Sequence, residues 1–424
     1  MKIIWLCSMI IPQIAQKLKL SSCHMCGWLN DIADTLDRSS DIELVVIAPQ
    51  SISIENIETD WGEKSRFVGV YIPDITTVTY SDGLENNFHE ILEKNPPDIV
   101  HIFGTEYMHT LAMVQAFNKP ERTVIHIQGL VSIIARHYYA DLPLRVIYGT
   151  LLSHFYQRQE IPREKNAFEL RGKMERSAIE KVNHVMGRTH WDKTCALQIN
   201  PQISYYHVEE LLRDTFFKGA WQIERCVSDC IFMTQGGYPI KGLHIALEAL
   251  AIVKEKYPTI NLCVAGAKTY KVKKRFGNRQ YSYDLYISEL IQKYGLEGNV
   301  TFIGACSADE IKQQMLRSRI YLLPSSIENS SNSLGEAALL GMPIVASFVG
   351  GTPSIIQHEY SGLLYPADES YMLAEEIIRL LTDEGLCKRL GENARRMAQT
   401  RYDRENAIRE LMNTYKEIWG EAIK

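Results

Sequence analysis

The chain has 424 residues, of which 46% are hydrophobic and 23% charged, a composition typical of a globular enzyme. Single hydrophobic cores rarely grow beyond about 250–300 residues, so the length predicts two domains. The net charge of −5 argues against a nucleic-acid partner, because a general nucleic-acid-binding protein needs a dominant basic face. Nine scattered cysteines, an odd number without a disulfide-dense segment, indicate reduced thiols and a cytoplasmic location.

The apolar run at residues 3–11 is short and no small-residue cleavage site follows it, so a buried first strand is predicted rather than a signal peptide. No run of about 18 apolar residues occurs, and no transmembrane helix is expected. Cys23 and Cys26 could combine with Cys226 and Cys230 in a four-thiolate zinc site. Because these pairs are far apart and the second lacks a turn glycine, buried or half-buried thiols are the preferred interpretation.

In the first half of the chain, short apolar runs alternate with helical patterns. The runs are residues 3–9, 43–48, 67–72, 98–103 and 123–127, and the helical patterns include 28–36, 84–94 and 107–117. Such alternation predicts βαβ units and a parallel sheet. Residues 132–198 are mostly helical and mixed in charge. Within them, the aromatic and leucine-rich stretch 143–156 is interpreted as a packed helix, with a patch facing a lipid or glycan acceptor as the alternative.

The second half repeats the alternation of strands and helices. Strands are predicted at residues 230–234, 260–265, 300–303, 320–324 and 343–346, and helices at 243–257, 284–294, 309–317, 333–340 and within 371–419. The sequence therefore predicts an α/β protein of two doubly wound domains, 1–210 and 211–400, with a linker near 209–226. Residues 401–424 are expected to form a helix that packs back towards the first domain. Two such domains that face each other would bind ligands in a cleft at the carboxyl ends of their strands.

The most informative stretch is LLPSSIENSSNSLGEAALLGMPIVAS at residues 322–347, which predicts a strand, a polar loop, a short helix and another strand. Glu328 lies in the loop, and Ser331 or Asn332 is a good N-cap for the helix. The amino end of a helix, here near Ser331, Asn332 and Ser333, suits a diphosphate because it carries N–H donors and a partial positive charge. Glu336, about one turn into the helix, is suited to accept hydrogen bonds from vicinal ribose hydroxyls. The alternative is that both glutamates are solvated surface charges.

This stretch resembles the donor-site signature of the large family of retaining glycosyltransferases with the GT-B fold (glycosyltransferase family 4-like, "glycosyl transferases group 1"). That signature is a pair of glutamates separated by seven residues. The family's flanking Pro-Ser, Ala-rich helix, Gly-x-Pro and Val-Ala-Ser also occur here, at residues 324–325, 337–338, 341–343 and 345–347. The family often has Gly-Phe-Gly after the first glutamate, where this chain has Asn-Ser-Ser. The resemblance implies two Rossmann-like domains and a nucleotide-sugar donor.

Further donor-binding residues follow from the same resemblance. The segment GGYPIKGL at residues 236–243 is similar to the family's segment ending in Lys-Gly, so Lys241 is expected to neutralise the donor diphosphate. Gly237 lies in the preceding turn, and Gln235 occupies the place where the family commonly has an arginine. Arg188 is the candidate for the missing second cation, against the alternative of a surface or interdomain arginine. The Gly-Gly turn at 350–351 also matches the family.

In the first domain, Gly27 resembles the family's glycine-rich loop near the donor phosphate and acceptor. His126 lies in the predicted strand 123–127, and its match in the family lies near the donor sugar and the reaction centre. His101 is expected to be packed within its strand, and Glu106 is a candidate acceptor ligand. A lone histidine at a strand end is more often structural, which is the alternative for His126.

The resemblance implies transfer of a sugar from a nucleoside diphosphate to a hydroxyl group with retention of anomeric configuration, as a hexosyltransferase does. Glu328 would hold sugar hydroxyls and His126 would position the sugar. No metal or other cofactor is expected, because no Asp-x-Asp element ends a strand. The expected donor is a UDP-sugar first and a GDP-sugar second, and the acceptor a glycan, a lipid-linked molecule or a small molecule. Cell-surface polysaccharide synthesis at the inner face of the plasma membrane is the setting that the family implies.

Two other classes of protein remain as alternatives. A nucleotide-sugar epimerase with the GT-B fold would convert the labelled donor in the absence of an acceptor. A non-catalytic binding or scaffold protein with a degraded site is suggested by Gln235 and by the single Gly27. Undetectable binding of any nucleoside diphosphate in a thermal-shift panel would favour it.

Overall fold

The computed structural model describes residues 1–19, 28–148, 160–266 and 282–422. The chain divides into two compact units, the first made of Met1–Ala135, Ala167–Leu211 and Tyr402–Lys424 and the second of Arg136–Asn166 and Leu212–Arg401. The sequence-based range 1–210 had placed residues 136–166 in the first domain. The structure groups them with the second, where Ala140 accepts a hydrogen bond at 2.7 Å from Nε2 of the buried His244.

Fourteen strands form two sheets within the described residues. They are β1 (Lys2–Leu6), β2 (Glu43–Gln50), β3 (Ile57–Asp60), β4 (Arg66–Tyr71), β5 (Ile99–Phe103), β6 (Thr123–His126), β7 (His184–Gly187), β8 (Ser204–His207), β9 (Val227–Met233), β10 (Asn261–Ala265), β11 (Val300–Gly304), β12 (Ser318–Leu323), β13 (Ile344–Ser347) and β14 (Leu363–Tyr365).

The described α-helices lie between and after these strands. They are α1 (Pro12–Lys17), α2 (Trp28–Asp37), α3 (Asp82–Lys94), α4 (Met108–Phe117), α5 (Val131–Ile134), α6 (Leu144–Tyr148), α7 (Glu160–Glu180), α8 (His190–Ile199), α9 (Leu243–Lys256), α10 (Ser282–Lys293), α11 (Ala308–Arg317), α12 (Asn332–Leu340), α13 (Ser370–Thr382), α14 (Glu384–Arg401) and α15 (Arg404–Ala422).

The first unit contains an eight-stranded sheet in the order β3-β4-β2-β1-β5-β6-β7-β8. All neighbouring strands are parallel except the edge pair β3 and β4. Successive side chains of a strand point to opposite faces, so Ile4 and Leu6 enter one hydrophobic cluster and Ile3 and Trp5 the other. The C-terminal helix α15 joins the second cluster, where Trp5 Nε1 donates to the hydroxyl of Tyr415 at 2.9 Å. Both faces of the sheet are therefore buried, as the apolar runs predict.

The second unit contains a six-stranded sheet in the order β11-β10-β9-β12-β13-β14. Every neighbouring pair is parallel. From β9 the chain moves outward through β10 and β11, and it then returns to β12 on the other side of β9. The winding of the sheet therefore reverses between β9 and β12. Parallel α/β sheets bind ligands at such a point. Lys241 lies after β9 and Glu328 lies after β12.

Candidate functional site

Lys241 and Glu328 meet at the carboxyl edge of the second sheet. Nζ of Lys241 lies 2.5 Å from Oε1 of Glu328, and the two side chains are 18% and 12% exposed. Lys241 ends a 3-10 turn after β9, and Glu328 lies in the loop after β12. The sequence predicted that both residues act in one site, and the structure brings their charged groups into direct contact.

The backbones of the two loops are fixed to each other. Ser326 N donates to the carbonyl of Ile240 at 2.9 Å. Gly242, the residue after Lys241, has a φ of +71°, and a Cβ there would lie 1.8 Å from the carbonyl oxygen of Pro324. Only glycine allows both this conformation and this close approach. The loop after β9 can therefore pass directly over the start of the Glu328 loop, which brings Lys241 to the carboxylate.

Glu328 is held by its own loop and by the loop after β13. Ser325 Oγ donates to Glu328 Oε1 at 2.8 Å, and Gly351 N donates to the Glu328 carbonyl at 3.0 Å. Gly350 has a φ of +46°, and a Cβ there would lie 2.0 Å from that same carbonyl oxygen. The glycine pair at 350–351 thus supports the backbone of Glu328 in this structure. A contact of these glycines with phosphate or sugar stays a prediction.

Lys241 carries a stable positive charge. Burial is the largest single influence and would lower the pKa of the ammonium group. The charge and hydrogen bond of Glu328, together with Tyr238 and Tyr321, outweigh burial and raise the pKa above its usual value. The Tyr238 ring centroid lies 5.8 Å from Nζ. An ammonium group has three donors, so Lys241 can bind an anion in place of, or together with, Glu328.

The amino end of α12 lies in the same loop region. Ser331 is the N-cap and accepts a hydrogen bond from Leu334 N, one of the two positions that the sequence indicated. Ser331 Oγ is 3.1 Å from Ser333 Oγ, which in turn accepts a hydrogen bond from the buried Tyr321 hydroxyl at 2.8 Å. The start of the helix is thereby tied to strand β12. The partial positive charge at this end favours an anion, although phosphate binding by Ser331, Asn332 and Ser333 stays a prediction.

Glu336 has a partner that the sequence did not identify. Its side chain is 2% exposed, and Arg213 Nε and Nη2 donate to its two carboxylate oxygens at 2.6 and 2.7 Å. Burial raises the pKa of Glu336, and the hydrogen bonds and charge of Arg213 oppose this rise. Glu336 is therefore not a solvated surface charge, and its carboxylate is already paired with a cation. Its expected contact with ribose stays a prediction.

Arg213 lies in the stretch interpreted from the sequence as a linker, 123 residues before Glu336. A buried carboxylate requires a compensating partner, but the sequence did not show that Glu336 is buried. No spacing rule identifies which of the 46 lysines and arginines supplies it.

Gln235 and Gly237 border the loop after β9. Gly237 is exposed, and a Cβ added there would meet no atom within 4 Å. The side-chain oxygen of Gln235 lies beside Gly266, whose φ is +70°, and a Cβ added to Gly266 would lie 2.6 Å from that oxygen. Gln235 therefore supplies a polar amide where the resemblance leads one to expect a cation. Donor binding by Gln235 and Gly237 stays a prediction.

In the first unit, His126 ends strand β6 and is 1% exposed. Burial, together with the positive charge of Arg188, lowers its pKa to about 3, so the imidazole is neutral at physiological pH. His101 is fully buried, and its Nδ1 lies 2.6 Å from the hydroxyl of Tyr415, which agrees with the packed position expected for it. Glu106 Oε1 accepts a hydrogen bond from Gly129 N at 2.9 Å, and burial raises its pKa. The catalytic role of His126 and the acceptor role of Glu106 stay predictions.

Arg188 follows strand β7 and lies inside the first unit. Its side chain is 3% exposed, and Nη1 is 2.8 Å from Oε2 of Glu210, which is 1% exposed. Nη2 also donates to the carbonyl of Gln128 at 3.3 Å. The surface alternative for Arg188 is therefore wrong. Its assignment to the phosphate clamp would require this buried ion pair to open, and it stays a prediction.

Several sequence-based proposals concern residues outside the described ranges. Gly27, Cys23 and Cys26 lie in the stretch 20–27, which the structure does not describe. Residues 149–156 of the aromatic and leucine-rich stretch lie in a second such stretch, 149–159. Among the residues that the structure describes, no three His, Cys, Asp or Glu side chains are grouped so that they could hold a metal ion. None of the described helices is long and apolar enough to span a membrane.

Residues 230–397 match the family described as "Glycosyl transferases group 1". One similar curated protein is the N-acetyl-alpha-D-glucosaminyl L-malate synthase of Bacillus anthracis, 30% identical over 132 residues, which are 31% of this chain and 34% of that protein. The match thus spans about a third of the relative's length. It shows similarity of that region alone.

Two solved structures are similar over nearly the whole chain. Sucrose-phosphate synthase from Thermosynechococcus elongatus has a TM-score of 0.69 at 17% identity, with 99% of this chain and 100% of that chain covered. Anabaena HepE in complex with UDP-glucose has a TM-score of 0.64 at 18% identity, with 98% and 100% covered. At these identities the likeness shows the fold. The chain therefore has the GT-B glycosyltransferase fold, and the part of its second unit from 230 to 397 matches the glycosyl transferases group 1 family.

Proposed function

We propose that this chain is a glycosyltransferase that moves a sugar from a nucleoside diphosphate to an acceptor hydroxyl with retention of anomeric configuration. The observation that carries the proposal is the Lys241–Glu328 pair at the point where the second sheet reverses its winding. This pair lies within the segment that matches the glycosyl transferases group 1 family. This position is one where parallel sheets bind ligands. The positive charge of Lys241 suits a diphosphate, and the carboxylate of Glu328 suits the hydroxyl groups of a sugar.

The reaction breaks the bond between the anomeric carbon and the diphosphate oxygen and forms a bond from that carbon to the acceptor oxygen. The acceptor hydroxyl releases its proton to solvent, and the diphosphate leaves with the bonding electron pair. Negative charge therefore grows on the departing diphosphate. Lys241 would stabilise this charge, together with the amino end of α12. Because each group is already positioned by the loops, little reorganisation is needed when the charge develops.

Glu328 would accept hydrogen bonds from sugar hydroxyls once the diphosphate engages Lys241. In the structure the carboxylate binds Lys241 and Ser325. A diphosphate would compete for the ammonium group and leave carboxylate lone pairs available to the sugar. Donor binding would thus exchange one ion pair for two ligand contacts. His126 would position the sugar as a neutral imidazole.

The donor that we propose first is a UDP-sugar, because one protein of similar fold was solved in complex with UDP-glucose. A GDP-sugar is the second choice. The acceptor would be a glycan, a lipid-linked molecule or a small molecule, in cell-surface polysaccharide or glycoconjugate synthesis. We place the enzyme in the cytoplasm, with contact to the inner face of the plasma membrane, and we expect no metal requirement.

A donor screen tests the proposal. The full chain is incubated with labelled UDP- and GDP-sugars, with and without a mixture of glycan, lipid-linked and small hydroxyl acceptors, and with and without EDTA. We expect acceptor-dependent release of the nucleoside diphosphate, a glycosylated product of retained configuration, and equal rates with EDTA. Conversion of the donor sugar to its epimer without acceptor would instead show an epimerase. Donor binding without any turnover would favour a non-catalytic protein.

The residue assignment has its own test. Glu328→Gln keeps the size of the side chain but removes its charge, and we expect turnover to fall more than donor affinity. The matched control is Glu224→Gln, which breaks an exposed ion pair with Lys388 of 2.8 Å in the same unit. We expect the control to match the wild type, because solvent screens an ion pair between exposed side chains. Equal kinetics for both variants would refute the role of Glu328.

A further inference from the structure

We propose that Arg213 is a positioning residue for recognition of the donor ribose, and that it acts by holding the carboxylate of Glu336. The inference rests on the proposed function, since it needs a nucleotide in the site. Arg213 lies just before the 3-10 helix Asp214–Phe217, outside the glutamate motif and outside the segment 230–397 that matches the family.

Arg213 contacts Glu336 through two hydrogen bonds. Arg213 Nε and Nη2 each donate to a different oxygen of Glu336, at 2.6 and 2.7 Å. The guanidinium also lies over the ring of Phe216, 4.8 Å from its centroid. A single hydrogen bond would leave a carboxylate free to rotate, whereas a planar fork fixes both its position and its plane. The ring contact in turn restricts the guanidinium.

This arrangement leaves acceptor capacity on Glu336. A carboxylate has about four lone-pair sites, and the fork of Arg213 uses one site on each oxygen. One site on each oxygen therefore remains, which matches the two neighbouring hydroxyls of a ribose. A carboxylate that is buried to this degree and lacks a cation would tend to take up a proton. The proton would occupy one of the remaining acceptor sites, so Arg213 preserves both the orientation and the charge that ribose recognition needs.

Recognition of ribose can be separated from recognition of phosphate by a 2′-deoxyribose probe. Affinities for UDP and dUDP, and for GDP and dGDP, are measured by calorimetry on the full chain. We expect the wild type to bind the ribonucleotide about tenfold to a hundredfold more tightly than its deoxy form, since a hydrogen bond to a charged group contributes about 1.5–3 kcal/mol. Arg213→Gln should reduce this ratio to about threefold or less. Arg213→Lys, which keeps the charge without the fork, should give an intermediate ratio.

Arg395→Gln is the matched control. Arg395 Nη1 donates to the carbonyl of Leu339 at 2.9 Å, near the carboxyl end of α12, the helix that carries Glu336. This variant removes an arginine that supports the same helix without touching Glu336. We expect it to lower the melting temperature and to keep the wild-type ribose ratio. A structural effect on the helix is thereby distinguished from positioning of the carboxylate.

Three results would overturn the inference. A wild-type ratio near one would mean that Glu336 does not contact ribose. An unchanged ratio in Arg213→Gln would mean that the fork is structural alone. An equal loss of affinity for both members of a pair would mean that Arg213 binds the diphosphate directly. If Arg213→Gln does not fold, Arg213→Lys gives the same comparison, because it keeps the positive charge beside Glu336 and removes the fork.

Failure of the proposed function gives a different pattern. A wild-type chain that binds nucleoside diphosphates with ribose selectivity but transfers no sugar would contradict the enzyme and leave the role of Arg213 intact. A wild-type chain that binds none of the four nucleotides would contradict both. A transferase whose ribose ratio does not depend on Arg213 would contradict the inference alone.

Discussion

The ion pairs of the two units differ in how far they are exposed to solvent. In the first unit, Arg188 and Glu210 form an ion pair whose members are 3% and 1% exposed. In the second unit, Lys241 and Glu328 are 18% and 12% exposed, and Arg213 is 34% exposed beside the buried Glu336. All three pairs have a short contact of 2.5 to 2.8 Å. They differ in access to solvent, and hence in whether a ligand can reach them.

Access decides what an ion pair can do. A fully buried pair that loses one member leaves an uncompensated charge in a low-dielectric setting, so it is held closed. A pair that reaches the surface can exchange one partner for a ligand of the same charge. We therefore interpret the Arg188 pair as a closed, structural pair and the Lys241 pair as an open one. Arg213 and Glu336 lie between these cases, with one member buried and the other partly exposed.

The largest expected effect breaks the closed pair. Arg188→Met keeps the length of the side chain but leaves the buried Glu210 without its cation, and we expect a loss of about 3–5 kcal/mol in the free energy of unfolding. Denaturant unfolding of the variant measures this loss. The control is Arg404→Met, which breaks an exposed pair with Asp31 of 2.9 Å in the same unit and should cost about 1 kcal/mol or less. Similar losses in both variants would contradict the distinction.

The same protein sample tests the phosphate clamp. If Arg188 supplies the second cation, the KM for the donor should rise in the folded fraction of Arg188→Met. If the pair is closed throughout the reaction, the KM should stay at the wild-type value. The stability measurement and the kinetic measurement therefore answer separate questions about one residue.

The second largest effect is expected from a change in the open pair, Lys241 and Glu328. Lys241→Ala removes the cation that faces the developing charge of the diphosphate, and we expect kcat/KM for the donor to fall about a hundredfold to a thousandfold. Lys241→Arg should recover part of the rate, because it restores the charge with a different shape. Lys388→Ala, from the exposed pair with Glu224, is the matched control and should keep the wild-type rate. A Lys241→Ala enzyme with more than a tenth of wild-type kcat/KM would contradict the assignment.

A smaller effect is expected on the stability of the protein when the Arg213–Glu336 pair is broken, and this effect depends on pH. Burial raises the pKa of Glu336, so ionisation of this carboxyl disfavours the folded state as the pH rises through its folded pKa. Arg213 offsets that cost, and Arg213→Gln removes the offset. We expect the variant to lose about 1–2 kcal/mol at pH 7.5 and less at pH 5. Thermal melts at both pH values measure the difference.

The addition of Glu336→Gln to Arg213→Gln provides the check on this interpretation. The double variant has no carboxylate to ionise, so its stability relative to the wild type should lose most of its pH dependence. It should also recover part of the loss at pH 7.5. A double variant with the same pH dependence as Arg213→Gln would show that another group is responsible.

Much of the fold was predictable because buried parallel strands have continuous apolar runs. All five strands predicted for the second sheet are present within one to three residues at each end. The patterns missed four strands. One of them, β7, lies between β6 and β8 within the stretch that was interpreted as mostly helical. The other three lie at edges: β3 and β8 have the sequences IETD and SYYH, and β14 has only three residues. Edge strands with one neighbour and partly exposed side chains need no apolar run.

The sequence predicted the candidate site best where its residues lie close together along the chain. Glu328 and the cap at Ser331 lie within one strand–loop–helix stretch, so spacing and residue type suffice to find them. The pairing of Lys241 with Glu328 joins residues 87 apart, and it follows from the order of β9 and β12 in the sheet. Arg213 belongs to an irregular segment whose path no periodicity describes. Its contact therefore required the structure.

The smallest expected effect compares equivalent caps in the two units. Ser331 caps α12 and Ser81 caps α3, and each side chain accepts a hydrogen bond from the backbone N–H three residues on. Replacement of either serine by alanine should cost about 1 kcal/mol in the free energy of unfolding, because an N–H donor of the first turn loses its partner. Only Ser331→Ala should also weaken UDP binding, measured by calorimetry, since only that helix end belongs to the proposed donor site. Equal UDP affinities in the two variants would leave the cap at Ser331 as a purely structural feature and would limit the open region to Lys241 and Glu328.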